Sequence, residues 1–292
     1  MSNTALTSIA PRDPRDPRAL QRRQWLRCAA GLAGSVAAPW VLGARPALPP
    51  DDTRLALVIG NADYRVRPLR NAVNDARSVA GTLQALGYSL IVRENASQAG
   101  MIDAMKEFWL RGRRSEARVL YFSGHGLQYQ GRNYLVPVDT VIERDDEVPR
   151  KAASVDELVQ KLNEATAGVN VVILDACRTP PVSGSTRTRG VGGRTRSLSP
   201  GLAQVSAPQG TIIAFSTSPG AVAYDGVDGN SPYTRHLVEQ LKRPGQSVEQ
   251  LFKRVRIGVA QETDNKQVPW ESSSLMGDFC FSPDSAGRCK AG

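Results

Sequence analysis

Cysteine and histidine are scarce in this chain, with four of the first and two of the second in 292 residues. That is too few for a disulfide framework in a chain of this length, and no Cys/His cluster has zinc-site spacing. There is no glycine-rich phosphate loop, which removes the common nucleotide-binding classes. No apolar run approaches the about 20 residues that cross a bilayer. Acid is the minority charge, with 28 Asp and Glu against 37 Lys and Arg, for a net charge of +9. Such a balance invites a nucleic-acid reading. Residues 1–50, however, hold seven Arg against two Asp, and residues 178–196 hold five Arg and no acid. The remainder is close to neutral, so no basic recognition face is expected and nucleic acid is not an expected partner.

What is present begins with a leader. Residues 1–21 are rich in Pro, Arg and Asp without apolar period and read as disordered. Arg22-Arg23-Gln24-Trp25-Leu26-Arg27 then precedes an Ala- and Gly-rich stretch from Cys28 to Leu42. A charged front and a short apolar centre make a signal peptide, and the paired arginines resemble a twin-arginine export signal. The chain is expected to be periplasmic or otherwise exported, with no integral span after signal removal. An N-terminal anchor left uncleaved is the alternative.

From residue 51 onward the pattern alternates between strand and helix. Leu55–Gly60, Tyr88–Val92, Val119–Phe122, Val171–Leu174 and Thr211–Ser216 read as buried strands, and Asp278–Phe281 as a short last one. Asn71–Leu86, Gln98–Leu110, Ser154–Thr166, Pro232–Leu241 and Val248–Val259 read as helices, with Ser154 and Glu157 as a capping box. Tyr134–Asp139 reads as a small extra strand pair, and Gln267–Ser272 as a loop. Alternating βαβ units imply a parallel sheet covered on both faces.

Two strands run into chemistry. Val171-Val172-Ile173-Leu174 leads to Asp175-Ala176-Cys177, and Val119-Leu120-Tyr121-Phe122 leads to Ser123-Gly124-His125-Gly126. Strand C-termini are where open α/β sheets bind ligands. A thiol becomes a strong nucleophile when an imidazole takes its proton. Glycines on both sides of His125 predict unusual backbone angles or a close approach to a ligand. His236, the other histidine, falls inside a helix and reads as an ordinary helix residue.

These motifs, with Leu57-Val58-Ile59-Gly60-Asn61 and Leu69-Arg70-Asn71-Ala72-Val73-Asn74-Asp75, resemble the caspase/metacaspase clan of cysteine peptidases, most of all the bacterial orthocaspases. The similarity runs from about Leu55 to Phe281. It implies an α/β fold of caspase-like type: an open, mostly parallel six-stranded sheet with helices on both faces. Cys177 stands 52 residues after His125, which matches the clan's spacing. It further implies Cys177 as nucleophile, His125 as proton carrier, and the backbone N–H groups of Gly126 and Cys177 as oxyanion hole. Asp75 and Asp175 match the positions where metacaspases hold a substrate Arg or Lys, and carboxylates suit a desolvated guanidinium. Asp-cleaving caspases carry Gln in place of Asp175, so this chain departs from them. Ser216 and Thr217 correspond to the segment that pairs with extended substrate. Calcium dependence occurs among metacaspases, but the sequence offers no ligand set for it, and no metal or other cofactor is required.

The stretch 181–209 is dense in Gly, Ser, Thr and Arg and reads as a linker between a large part (51–180) and a small part (210–283) of one peptidase domain (51–283). Arg187, Arg189, Arg194 and Arg196 are candidate self-cleavage points. Residues 284–292 read as a tail. Cys280 and Cys289 either pair in an oxidising compartment or remain two thiols. The expected activity is peptide-bond hydrolysis after Arg or Lys in protein or peptide substrates. A non-catalytic peptide- or partner-binding module, and a thiol hydrolase of non-peptide esters or amides, are the competing classes.

Overall fold

The computed structural model describes residues 52–164, 168–177, 202–203, 205–219, 221, 223–227 and 229–289. The leader, most of the Arg-rich linker with its four candidate arginines, and the side chain of Cys177 lie outside the described residues. The chain enters β1 (Arg54–Gly60), crosses by α1 (Ala72–Ala85) to β2 (Ser89–Glu94), and returns by α2 (Gln98–Gly112) to β3 (Ala117–Tyr129). A hairpin leads to β4 (Arg132–Leu135), then α3 (Val148–Lys151), β5 (Ala153–Ser154) and α4 (Val155–Asn163). The second half carries β6 (Val169–Cys177), β7 (Thr211–Phe215), α5 (Pro232–Leu241), α6 (Val248–Glu262) and β8 (Trp270–Ser273).

The main sheet runs β2-β1-β3-β6-β7-β8, and only β8 is antiparallel to its neighbour. Successive side chains of a strand face opposite sides, and the core divides accordingly. Val58, Tyr121, Ile173 and Ala214 pack with α1, α5 and α6 on one face. Leu57, Phe122, Leu174 and Ile213 pack with α2 and α4 on the other. Strands apolar on both faces are the reason the sequence shows unbroken Val/Ile/Leu runs where a half-exposed sheet would alternate. Among the described residues no helix is long and apolar enough to cross a membrane.

Three elements differ from the sequence expectation. β3 does not stop at Phe122. It runs on through His125 to Tyr129 and pairs with β4 through a two-residue turn, Gln130-Gly131, both at positive φ, as tight hairpins require. His125 therefore sits within a strand. Trp270–Ser273, expected as loop, is the edge strand β8. Its polar Glu271-Ser272-Ser273 reads as loop in isolation, but an edge strand with one solvated side tolerates such residues. Asp278–Phe281 forms no strand, because a side chain takes its carbonyls: Arg54 donates to Cys280 O (3.0 Å) and Phe281 O (3.1 Å). Phe279 and Phe281 remain buried in the core. His236 lies on α5 with Nε2 2.9 Å from Glu262 Oε2 on α6, a surface link between helices.

Cys280 and Cys289 are joined by a disulfide with Cα atoms 5.6 Å apart, so the first residues of the tail are tied to the body. Closing so short a loop contributes about 2–3 kcal/mol. Replacing Cys289 with Ser is expected to lower unfolding free energy by that amount. Thiol titration of the denatured, unreduced protein is expected to find neither Cys280 nor Cys289.

Candidate active site

The site grows out of one file of residues on β3 and β6. On the α1/α5 face the file along β3 reads Val119, Tyr121, Ser123, His125. Along β6 it reads Val171, Ile173, Asp175, followed by the position of Cys177. Each pair is in register across the two strands, ending with Ser123 opposite Asp175 and His125 opposite Cys177. The face is apolar where helices cover it and turns polar at the C-terminal ends of the strands. Paired strands lie about 4.8 Å apart, so the register makes the His125 and Cys177 backbones nearest neighbours.

His125 is buried (1% exposed). Its backbone N–H donates to Tyr64 Oη (2.9 Å), and the Tyr64 ring packs on the imidazole with centroids 4.3 Å apart. Its Nε2 lies 2.7 Å from the carbonyl oxygen of Arg67. A carbonyl can only accept, so Nε2 carries the proton, and in the neutral ring Nδ1 is the basic nitrogen. Arg67 itself is an exposed, non-glycine residue at φ 57, a left-handed conformation that is uncommon for such residues. It turns the carbonyl toward the imidazole. The glycines around His125 serve space and not backbone angle, since neither has positive φ. A Cβ on Gly124 would lie 2.6 Å from Tyr64 Oη, and one on Gly126 would lie 2.9 Å from the Ala176 Cβ.

Beside this pair sit two buried carboxylates. Asp75, in the first turn of α1, accepts from the backbone N–H of Ser231 (2.9 Å) and from Ser123 Oγ (3.3 Å). Asp175 accepts from Ser231 Oγ (2.5 Å) and Thr234 Oγ1 (3.1 Å), and Thr234 is 2.5 Å from the hydroxyl of Tyr121. Ser231 thus touches both acids, and as N-cap of α5 it also receives Thr234 N–H (3.0 Å). Among the described residues no Arg, Lys or His pairs with either carboxylate. Burial, followed by the charge of Asp175, pushes the Asp75 pKa well above the carboxylate range. Burial also raises that of Asp175, while the hydroxyls of Ser231, Ser216 and Thr234 hold it lower than burial alone would. Two carboxylates sharing a desolvated site disfavour double ionisation.

A family model described as the caspase domain matches residues 53–280. The chain belongs to the caspase-domain peptidases. Human (Homo sapiens) mucosa-associated lymphoid tissue lymphoma translocation protein 1 is 29% identical over 126 residues, which cover 43% of this chain and 15% of that protein. Caspase-1 of Equus caballus is 26% identical over 237 residues, covering 74% of this chain and 56% of that protein. Caspase-1 of Sus scrofa is 32% identical over 133 residues, covering 43% and 31%. The chain therefore spans at most 56% of the length of these relatives.

Within this caspase domain the sequence-derived residues fall in one region. His125, Gly126 and the backbone of Cys177 meet at the β3/β6 register, and Asp75, Asp175 and Ser216 meet beside it. Ser216 is already engaged through its backbone, its N–H donating to Leu174 O (3.0 Å) and its carbonyl accepting from Gln267 Nε2 (2.8 Å). Tyr64, the Arg67 carbonyl, Ser231 and Thr234 were not found by sequence reasoning. Only Ser231 left a signal, a Ser-Pro pair opening a helix.

An acid whose pKa is raised on folding holds its proton more tightly in the native state than in the unfolded one. Its stabilising contribution is complete below the ordinary carboxylate range and drains away as pH rises through the native value. The contribution of Asp75 to the stability of the unliganded protein is therefore expected to fall from about pH 4 to about pH 8. Asp75→Asn is expected to flatten that decline, gaining on the order of 1 kcal/mol at the alkaline end, as read by denaturant unfolding at several pH values. Gly124→Ala is expected to push Tyr64 off the His125 amide and destabilise by about 1–3 kcal/mol.

Proposed function

We propose that this chain is a cysteine endopeptidase that cleaves after Arg or Lys. The observation that carries the reading is the pair of buried carboxylates, Asp75 and Asp175, with hydroxyl and amide partners and, among the described residues, no cation. Burying carboxylate charge without a counter-ion is unfavourable. A substrate guanidinium or ammonium supplies that counter-ion, and Arg adds a bidentate geometry. Binding it drives both acids to ionise, so recognition of the cationic side chain releases protons near neutral pH.

In this reading Cys177 attacks the carbonyl carbon after the basic residue. With Nε2 committed to the Arg67 carbonyl, proton exchange falls to Nδ1 of His125, which takes the thiol proton and returns it to the leaving amine, then takes a proton from the water that hydrolyses the Cys177 thioester and returns it to the departing sulfur. The N–H groups of Gly126 and Cys177 hold the developing oxyanion. The Ser216 hydroxyl lines the acidic pocket beside Asp175, and strand addition by substrate begins at Thr217. Thiol and imidazole suffice for these steps, so a chelator is expected to leave the rate unchanged; a loss of rate would point to the calcium dependence seen among metacaspases. A pocket for Arg or Lys, in a chain whose 181–209 linker is rich in Arg, makes Arg187, Arg189, Arg194 and Arg196 candidate points of self-cleavage. The Cys280–Cys289 disulfide suits export to an oxidising compartment behind the Arg22-Arg23 leader.

A panel of peptides ending in Arg, Lys or Asp tests this. Turnover of the Arg and Lys members, lost in Cys177→Ala and lowered about 10²–10³-fold in kcat/KM by Asp175→Asn, is expected. Cleavage after Asp would overturn the pocket assignment. No turnover of any peptide would favour the binding module, and turnover of esters alone the non-peptide hydrolase. Intact-mass comparison of wild type with Cys177→Ala is expected to show cuts in residues 181–209 of the wild type only.

A further inference from the structure

We infer that Gln267 is a positioning residue that sets the width of the acidic pocket. The inference rests on the substrate reading just given. Gln267 follows α6 across a turn in which Asp264 (φ 49) and Asn265 (φ 60) are left-handed. Its backbone is held by Thr263, whose hydroxyl accepts from Gln267 N–H (3.0 Å) and lies 2.7 Å from Val259 O at the end of α6. Its side chain is fully buried, at 0% exposure. Both ends of the amide are spent on backbone groups from different segments. Nε2 donates to the carbonyl of Ser216 (2.8 Å), and Oε1 accepts from the N–H of Tyr224 (3.0 Å).

Each of those segments leads to one of the two acids. Ser216 closes β7, and its N–H donates to Leu174 O, next to Asp175. Tyr224 precedes Asp225, whose carboxylate accepts from the N–H groups of Arg70 (2.6 Å) and Asn71 (3.3 Å). Asn71 caps α1, and α1 carries Asp75. Beside Ser231, the Gln267 amide is thus a second link between the wall that holds Asp175 and the wall that holds Asp75, and it touches neither acid. An amide donates from its nitrogen and accepts at its oxygen without carrying charge. A carboxylate would face the Ser216 carbonyl with no proton to offer, and an apolar side chain would leave both backbone groups unpaired.

The test uses the full chain and the Arg-ending peptide. Gln267→Met, close in size but without polar ends, is expected to raise KM about tenfold while kcat changes less than threefold. Its rate of Cys177 alkylation by iodoacetamide is expected to match wild type, because the β3/β6 register does not run through Gln267. Gln267→Glu supplies a second reading. When its buried carboxyl is protonated it again donates to Ser216 and accepts from Tyr224. Its KM relative to wild type at the same pH is expected to fall back toward unity as pH is lowered, whereas the Gln267→Met ratio stays flat. A Gln267→Met enzyme with wild-type KM would overturn the inference. So would a parallel loss of KM, kcat and alkylation rate in both variants with no pH-dependent recovery, which is what a purely structural role produces. If wild type cleaves the Arg peptide and Gln267→Met matches it, only the Gln267 assignment fails. If wild type cleaves no Arg or Lys peptide, the acidic-pocket reading fails and this inference with it.

Discussion

Nine consecutive residue pairs, from Ala117–Val169 to His125–Cys177, hold β3 against β6 in the centre of the sheet. Everything at the candidate site is measured from that ladder. Side chains repeat with period two along a strand, so a slip of one residue would send Ser123, His125 and Asp175 to the α2/α4 face. The apolar residues before them prevent the slip. Tyr121 and Ile173 fill one face, Phe122 and Leu174 the other, and all four are essentially inaccessible. Core packing thereby sets the address of the polar residues that follow it.

The polar end of the file is electrostatically unsettled. The Arg67 carbonyl orients the imidazole, and among the described residues the two acids have hydroxyl and amide partners where a salt bridge would have a cation. Ser231 holds the acids together by sharing its N–H with Asp75 and its hydroxyl with Asp175. The N-terminus of α5, at whose cap Ser231 sits, favours negative charge there. That arrangement gives the acids no counter-ion among the described residues, which is a poor solution for stability and, in the proposed reading, leaves room for a cationic side chain. Left-handed Arg67 fits the same pattern, since backbone strain persists where the surroundings and the function require it.

How much of this was legible varies with the range of the signal. The strands β1, β2, β3, β6 and β7 and the helices α1, α2, α4, α5 and α6 were legible because burial periodicity is local. β8 was not, because an edge strand with polar residues carries little periodicity. Asp278–Phe281 looked like a strand because its aromatics alternate. They do pack into the core, yet Arg54, 226 residues away from Cys280, takes the carbonyls that a partner strand would need. The glycines beside His125 take no left-handed backbone angle, and the steric demand on them comes from Tyr64 and Ala176.

The amino-acid sequence by itself determined the parallel α/β plan, the placement of His125 and Cys177 just past two apolar strand runs, and the presence of acids at Asp75 and Asp175. All of these follow from residue type and short-range spacing. Tertiary structure decided which nitrogen of His125 is basic, that the two acids share one buried site, and that Ser231 and Gln267 bind that site to its surroundings. Asp75 meets Ser231 across 156 residues. A contact of that span depends on the packing of whole elements, which no local pattern encodes.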